Sequence, residues 1–167
     1  MIDKALLLDA LRDRVAADLA ALERRQRDAQ KGSTHEESRA EHAKDTRATE
    51  QSYLARGLAG RVEELRRTAA ALTALEPREF AANEPIAVTA LVTLSIEAEG
   101  DDATGARQTW WIVANAGGFE LEQDGVSVRT LTPVAPLGRA LLGLRAGDIG
   151  DFRTPRGERS FEVLSVG

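Results

Sequence analysis

The chain of 167 residues has no cysteine, only two histidines, and few aromatic side chains, which make up 4% of its residues. Without cysteine there is no thiol nucleophile, no disulfide and no cysteine-based zinc or iron–sulfur site. His35 and His42 lie in a polar stretch, which gives a histidine-only metal site or a Ser/His/Asp triad little to be built from. These scarcities argue against most classes of enzyme and favour a reducing compartment, the cytoplasm.

Long hydrophobic runs are also missing from the sequence. No stretch of about 18 apolar residues occurs, as a membrane-spanning helix would need. The first eleven residues carry Asp3, Lys4 and Asp9, where a secretory signal would be apolar. We therefore expect a chain that neither spans a membrane nor is secreted. Its composition, 43% hydrophobic and 29% charged, is typical of a folded domain or of two small ones.

Proline is missing from the first 76 residues, and all five prolines fall from Pro77 onward, together with both tryptophans and all four phenylalanines. Residues 1–76 hold 14 basic and 14 acidic side chains, whereas residues 77–167 hold 8 and 13, so the net charge of −5 belongs to the second part. This change in composition predicts two domains, residues 1–76 and residues 77–167.

The first domain is predicted to be an antiparallel coiled-coil hairpin. One apolar stripe predicts a helix over residues 3–30, and a heptad-like seam predicts a second over residues 35–75. Gly32 is expected to end the first helix, and Thr34 with Glu37 spells a capping box for the second. The stripes are formed by Leu8, Leu11, Val15, Leu19 and Leu22 and by Leu54, Leu58, Val62, Leu65, Ala69 and Leu72. Two alternatives for this hairpin stay open: it packs on the second domain, or it dimerises into a four-helix bundle.

The second domain changes to a period of two, which predicts short strands. These are expected at Val88 and over residues 91–96, 109–113, 119–121, 126–131 and 160–166. Residues 136–144 are the exception, because Pro136 suits the start of a short helix that Gly143 or Gly147 would close. The predicted fold class is therefore α+β, a helical hairpin followed by a small twisted sheet with one short helix.

Charged residues concentrate around the predicted hairpin tip, near residues 32–45. Glu37, Glu41 and Asp45 are four residues apart and would share one helix face, which could hold a hard cation such as Mg²⁺ next to a phosphate. Spacing alone favours a solvated face. A basic group could meet nucleic-acid phosphates, although charge balance in a projecting coiled coil is the favoured explanation. Its members are Arg24, Arg25, Arg27 and Lys31.

A set of motifs in the second domain resembles a known family. Residues 135–143 read Ala-Pro-Leu-Gly-Arg-Ala-Leu-Leu-Gly, and Ala-Gly-Asp at 146–148 and Thr-Pro-Arg-Gly at 154–157 follow. This set is similar to the C-terminal domain of the bacterial Gre transcript-cleavage factors, GreA and GreB. The order of domains agrees too, since the family has a coiled coil followed by an FKBP-like globular domain. Residues 34–38 and 45–55 look like a divergent Gre-like subgroup.

The resemblance implies a partner, RNA polymerase. The globular domain would dock at the rim of the secondary channel, and the coiled coil would reach down the channel. Pro136, Leu137 and Gly138 correspond to the docking element, with Ala135 in place of the family's serine. The basic group Arg24, Arg25, Arg27 and Lys31 resembles the patch presented to nascent RNA, which would be met only inside the polymerase complex.

The resemblance also implies a role for the acidic tip. Glu41, with Glu37 and Asp45, would assist a Mg²⁺ at the polymerase active site in cleaving backtracked RNA, and the chain would have no catalytic activity or cofactor of its own. Ser38 stands where the family has an aspartate, so a secondary-channel regulator without cleavage activity is the alternative. The scarcity of aromatic residues disfavours prolyl isomerase activity. The negative net charge disfavours independent DNA binding, and the sequence leaves the oligomeric state open.

Overall fold

The computed structural model describes residues 2–36, 44–97 and 105–167, and side chains are described in these ranges except at 30–36 and 44–52. The helices are α1 (Lys4–Glu36), α2 (Lys44–Thr73) and α3 (Pro136–Leu141). The strands are β1 (Leu91–Ile96), β2 (Ala106–Ile112), β3 (Glu120–Gln123), β4 (Val126–Leu131), β5 (Ile149–Thr154) and β6 (Gly157–Val166). Two long helices followed by a sheet with one short helix confirm the predicted α+β class.

Two compact units divide the chain. The sheet unit comprises Met1–Leu11 and Leu75–Gly167, and the hairpin unit comprises Arg12–Ala74. The domain boundary predicted between residues 76 and 77 stays a prediction. The structure adds that the first turns of α1 pack in the sheet unit, where Leu7, Leu8 and Leu11 are all buried.

Within the hairpin unit, α1 and α2 run antiparallel. Val15 on α1 and Val62, Leu65 and Leu72 on α2 are buried, as the apolar stripes predict. Polar contacts follow the same register, because Arg12 donates to the carbonyl of Leu72 at 2.9 Å, whereas Glu23 and Arg66 pair farther along at 2.7 Å. The seam opens at its predicted start, where 67% of Leu54 is exposed.

The predicted end of the first helix at Gly32 is wrong. Helix α1 continues through Gly32 and Thr34 to Glu36, and α2 begins at Lys44 instead of residue 35. A single glycine inside a helix costs only about 1 kcal/mol relative to alanine, which many preceding hydrogen-bonded turns can offset. Thr34 therefore lies inside α1, while its capping-box partner Glu37 lies outside the described residues.

The sheet has the strand order β3-β4-β2-β1-β6-β5, and its strand pairs are antiparallel except for the parallel pair of β2 and β4. Strands β1 and β4 have the predicted bounds, whereas β5 was not predicted. Register places alternate residues of β1 on the same face as Phe161 and Val163 of β6. This face forms the core with Leu137 and Leu141 of α3.

Candidate functional site: the α3 element and the hairpin

The segment that enters α3 is the best-defined candidate site. Ala135 has an extended backbone just before the helix, and Pro136 occupies the helix start, where its missing N–H is no loss. Pro136 is exposed, whereas Leu137 is buried, with 5% of its surface exposed, and so is Gly138. Of the three predicted docking residues, a partner could therefore contact Pro136, whereas Leu137 and Gly138 are covered.

Gly138 is required by the close approach of the preceding loop. A Cβ built on Gly138 would overlap the carbonyl oxygen of Thr132 and lie 3.0 Å from its carbonyl carbon and 3.2 Å from the Cα of Pro133. All three atoms are backbone, so none can rotate away. The loop is also tied by the N–H of Ala135, which donates to the carbonyl of Thr132 at 3.1 Å. Gly138 therefore sets the position of the loop against α3.

Exposed apolar side chains flank α3 on both sides in sequence. Val134 is 75% exposed and Leu142 is 39% exposed. After Leu142 the chain turns at Gly143, whose φ is +84°, and its N–H donates to the carbonyl of Ile86 at 2.9 Å. We call Val134, Pro136 and Leu142 the α3 surface. The sequence indicated Pro136 but not Val134 or Leu142, because nothing in a motif shows whether a single valine or leucine is exposed.

The basic group lies on α1. Arg24, Arg25 and Arg27 are exposed, and Lys31 follows on the same helix with its side chain outside the described part. Spacings of three and four place Arg24, Arg27 and Lys31 along one side of α1. Opposite charge is nearby, since Glu23 pairs with Arg66 across the hairpin. The structure thus brings three of the predicted residues onto one exposed stretch of helix.

The acidic residues predicted at the tip lie at or beyond the edge of the described part of the chain. Glu37 and Glu41 lie outside the described residues, and so does Ser38. Asp45 belongs to the first turn of α2, with its side chain outside the described part. Among the side chains that are described, no group of three or more His, Asp or Glu could hold a metal ion. Their grouping therefore stays a prediction.

A charged cluster that the sequence did not indicate surrounds Phe80 in the sheet unit. The Lys4 ammonium lies 4.8 Å from the ring centroid and the Arg78 guanidinium 3.7 Å from it. Burial lowers the pKa of Lys4 from its usual value, which Glu79 opposes. The hydrogen bond from Arg78, together with one from the backbone of Ala81, lowers the pKa of Glu84. The cluster joins the start of α1 to the segment that follows α2.

Comparisons with known proteins bear on the sheet unit most directly. Residues 88–167 match the family model described as "Transcription elongation factor, GreA/GreB, C-term". This match confirms the resemblance to the GreA/GreB family that the sequence motifs indicated.

None of the helices in the described ranges is long and apolar enough to cross a membrane.

Two curated proteins illustrate how far the similarity extends. The chain is 35% identical over 66 residues to "Transcription inhibitor protein Gfh1" of Thermus aquaticus, an alignment covering 40% of each chain. It is 30% identical over 107 residues to a "Transcription elongation factor GreA" of Cereibacter sphaeroides, covering 64% of this chain and 62% of that protein. The chain thus spans less than two thirds of the length of these relatives. A crystal structure of Gfh1 of Thermus thermophilus aligns over 93% of this chain and 94% of that one, at 23% identity and a TM-score of 0.38.

Proposed function

From the match of residues 88–167 to the GreA/GreB family model, we propose that the chain is a transcription factor of this family and that it binds bacterial RNA polymerase at the secondary channel. The sheet unit would supply the docking surface and the hairpin unit the segment that enters the channel. The family match to the sheet unit is the observation that carries this proposal. The location that follows is the cytoplasm, where the polymerase works.

The α3 surface supplies the docking contacts in this proposal. Val134 and Pro136 present apolar atoms to solvent, and a surface of this kind gains affinity when a partner covers it. Leu137 and Gly138 contribute indirectly, because they are buried and hold the shape of the loop. A partner would therefore touch Pro136 of the three predicted docking residues, together with Val134 and Leu142.

The hairpin would act through charge. Glu41, with Glu37 and Asp45, would bring carboxylate oxygens to the polymerase active site, where a Mg²⁺ ion stabilises developing negative charge during phosphodiester hydrolysis. Ser38 cannot supply the missing carboxylate charge, so Glu37 or Asp45 would have to supply it. The exposed arginines Arg24, Arg25 and Arg27, with Lys31, would lie against the phosphates of nascent RNA inside the complex.

The test uses the cognate RNA polymerase halted in a backtracked complex with Mg²⁺ near neutral pH. Wild type is expected to release 3′ RNA fragments, and Glu41→Ala to lose that stimulation while still binding the polymerase. Glu64→Ala is the matched control, because Glu64 is an exposed acid of α2 whose partner, Arg61, lies on the same helix. Fragment release by Glu41→Ala at the wild-type rate would exclude the proposed role of the tip.

A second candidate is a secondary-channel regulator that does not stimulate cleavage. Two observations favour it: Ser38 in place of the family's aspartate, and the 35% identity to a relative named as a transcription inhibitor. In the same assay this candidate predicts polymerase binding and slower RNA synthesis without fragment release. Wild-type fragment release would eliminate it, and binding without release would select it.

A further inference from the structure

Strand β5 forms an open edge of the sheet. It is the last strand in the order β3-β4-β2-β1-β6-β5, and its ladder is with β6. The opposite edge, β3, is shorter, and in its hydrogen-bonding orientation the side-chain amide of Gln123 at its end exchanges two hydrogen bonds with the backbone of Asp3, at 3.0 and 3.1 Å. An unpaired edge offers its N–H and C=O groups to another strand. Within the described part of the sheet, β5 is therefore the better place for another strand to add.

The hydrogen bonds between β5 and β6 show which residues face this edge. Their ladder begins at a bulge, where the N–H of Gly147 donates to the carbonyl of Val163 at 2.8 Å and the N–H of Val163 donates to the carbonyl of Asp148 at 2.9 Å. Gly147 has the φ of +90° that this kind of bulge requires. Hydrogen-bonded pairs alternate along an antiparallel ladder, so the pairs that follow are Gly150–Phe161, Phe152–Arg159 and Thr154–Gly157. The residues between them on β5 direct their backbone groups away from β6.

These outward residues are Ile149, Asp151 and Arg153. All three are exposed, and their side chains share one face of the sheet. Among the described residues, no backbone hydrogen bond from outside the ladder reaches their N–H or C=O groups. The hydroxyl of Ser160 on β6 donates to Oδ1 of Asp151 at 2.6 Å, which holds the carboxylate on this face. The edge thus combines free backbone groups with one fixed negative charge and one positive charge.

Charges on an edge strand usually oppose pairing, but the signs here select one partner. In an antiparallel second copy of β5 centred on Phe152, Asp151 of each copy lies opposite Arg153 of the other. Both residues have outward N–H and C=O groups, so they form hydrogen-bonded pairs with opposite charges side by side. A register centred on Asp151 would oppose two carboxylates, and one centred on Arg153 two guanidinium groups, which is unfavourable.

Phe152 adds to the same register. It lies on the other face of β5, where its ring centroid is 6.0 Å from that of Phe161. In the register centred on Phe152, this residue meets its own copy in the close, non-hydrogen-bonded pair, and aromatic cross-strand pairs are favourable. A contact in which the same patch meets itself is the geometry of a two-fold dimer.

We propose that the chain forms a two-fold dimer in which the β5 strands of two copies pair antiparallel about Phe152 and join their sheets. The self-complementary charges of Asp151 and Arg153 make a second copy the partner that fits this edge. The strand has only 6 residues, so the interface falls below the roughly 1,200 Å² of a stable complex, and we expect a Kd of about 10–100 µM. At concentrations far below this value the chain is monomeric, so polymerase binding can be measured separately.

The test is sedimentation velocity of the whole chain at about 1–500 µM, a range that brackets the expected Kd. The average mass of wild type should rise from that of one chain towards that of two. Arg153→Asp and Asp151→Arg each place like charges opposite one another, so each should weaken dimerisation at least tenfold. An equal mixture of the two variants restores opposite charges in both pairs and should form a dimer with the wild-type Kd. This recovery also shows that both variants are folded.

Arg107→Asp is the matched control. It makes the same change of charge at an exposed residue of β2, a strand that lies inside the sheet between β4 and β1. Its self-association should equal that of wild type. Three results would each overturn the proposal: a wild type that stays monomeric over the whole range, equal weakening by Arg107→Asp and Arg153→Asp, or a mixture of the two β5 variants that stays monomeric.

Hydrogen exchange locates the interface. The amides of Asp151 and Arg153 point outward in the single chain and become hydrogen-bonded in the dimer, so their exchange should slow as the concentration of wild type rises. In Arg153→Asp, exchange at Asp151 should stay independent of concentration. Protection that rises on β3 or α3 instead of β5 would place self-association elsewhere and overturn the proposal.

Discussion

Replacing Gly138 by alanine is the substitution that examines the α3 element most sharply. The added methyl group would overlap the carbonyl oxygen of Thr132 and press on the Cα of Pro133, 3.2 Å away. Because both are backbone atoms, relief requires a shift of the loop or of α3. Overpacking of this kind costs about 1–3 kcal/mol. For a chain of this size that lowers Tm by roughly 2–4 °C per kcal/mol.

The assay can report on the sheet unit alone. Trp110 and Trp111 both lie on β2 and are the only tryptophans, so their fluorescence follows unfolding of that unit. Gly138→Ala is expected to lower its urea midpoint and its Tm, and to weaken polymerase binding by moving the α3 surface. A wild-type midpoint would refute the reasoning that the loop cannot move aside without cost.

Gly57→Ala is the matched control for this substitution. Gly57 lies inside α2, and a Cβ there would have no neighbour within 4 Å among the described residues. The same chemical change should therefore stabilise the hairpin by about 1 kcal/mol through helix propensity. Helical circular dichroism on heating would show it. Destabilisation by Gly57→Ala would contradict the open space around this position.

Further substitutions test other parts of the account. Glu84→Gln should lower the free energy of unfolding at neutral pH, because it removes the ion pair with Arg78. The difference in unfolding free energy from wild type should vanish as the pH falls below 4.5 and through the lowered pKa of Glu84, and a pH-independent difference in urea unfolding would contradict this. Trp111→Phe should cost about 1–3 kcal/mol, because the indole N–H donates to the carbonyl of Thr89 at 3.2 Å in a fully buried site, and urea unfolding that matches wild type would count against it. Gly125→Ala should cost about 1 kcal/mol because Gly125 has a φ of +75°, and a neutral effect on Tm would argue against that turn geometry.

Sequence patterns predicted the elements whose burial follows a simple period. The bounds of β1 and β4 were found because their apolar residues alternate and clear turn signals follow. Strand β5 was missed because Ile149, Asp151 and Arg153 form its exposed face and Gly150 breaks the apolar alternation on the other. It is an edge strand, which needs few buried side chains.

The limits of prediction at the sites have a different physical origin. The motif around Pro136 identified the docking element, but only packing shows that Gly138 touches the backbone of Thr132 and is hidden from a partner. Lys4 resembles any surface lysine in the sequence, and its burial depends on Phe80, far along the chain. The prediction that α1 ends at Gly32 was wrong because the low helix propensity of one glycine costs less than the continuation of a long helix gains.

The most direct test of the central claim measures the affinity of the chain for its cognate RNA polymerase. Val134→Ser with Leu142→Ser removes apolar atoms from the α3 surface, and Ile149→Ser removes a comparably exposed apolar side chain, 73% exposed, from β5. We expect wild-type binding that the paired serine substitutions weaken about tenfold, or about 1.4 kcal/mol, and that Ile149→Ser leaves unchanged. No binding by wild type, or equal weakening by the control, would contradict docking through the α3 surface.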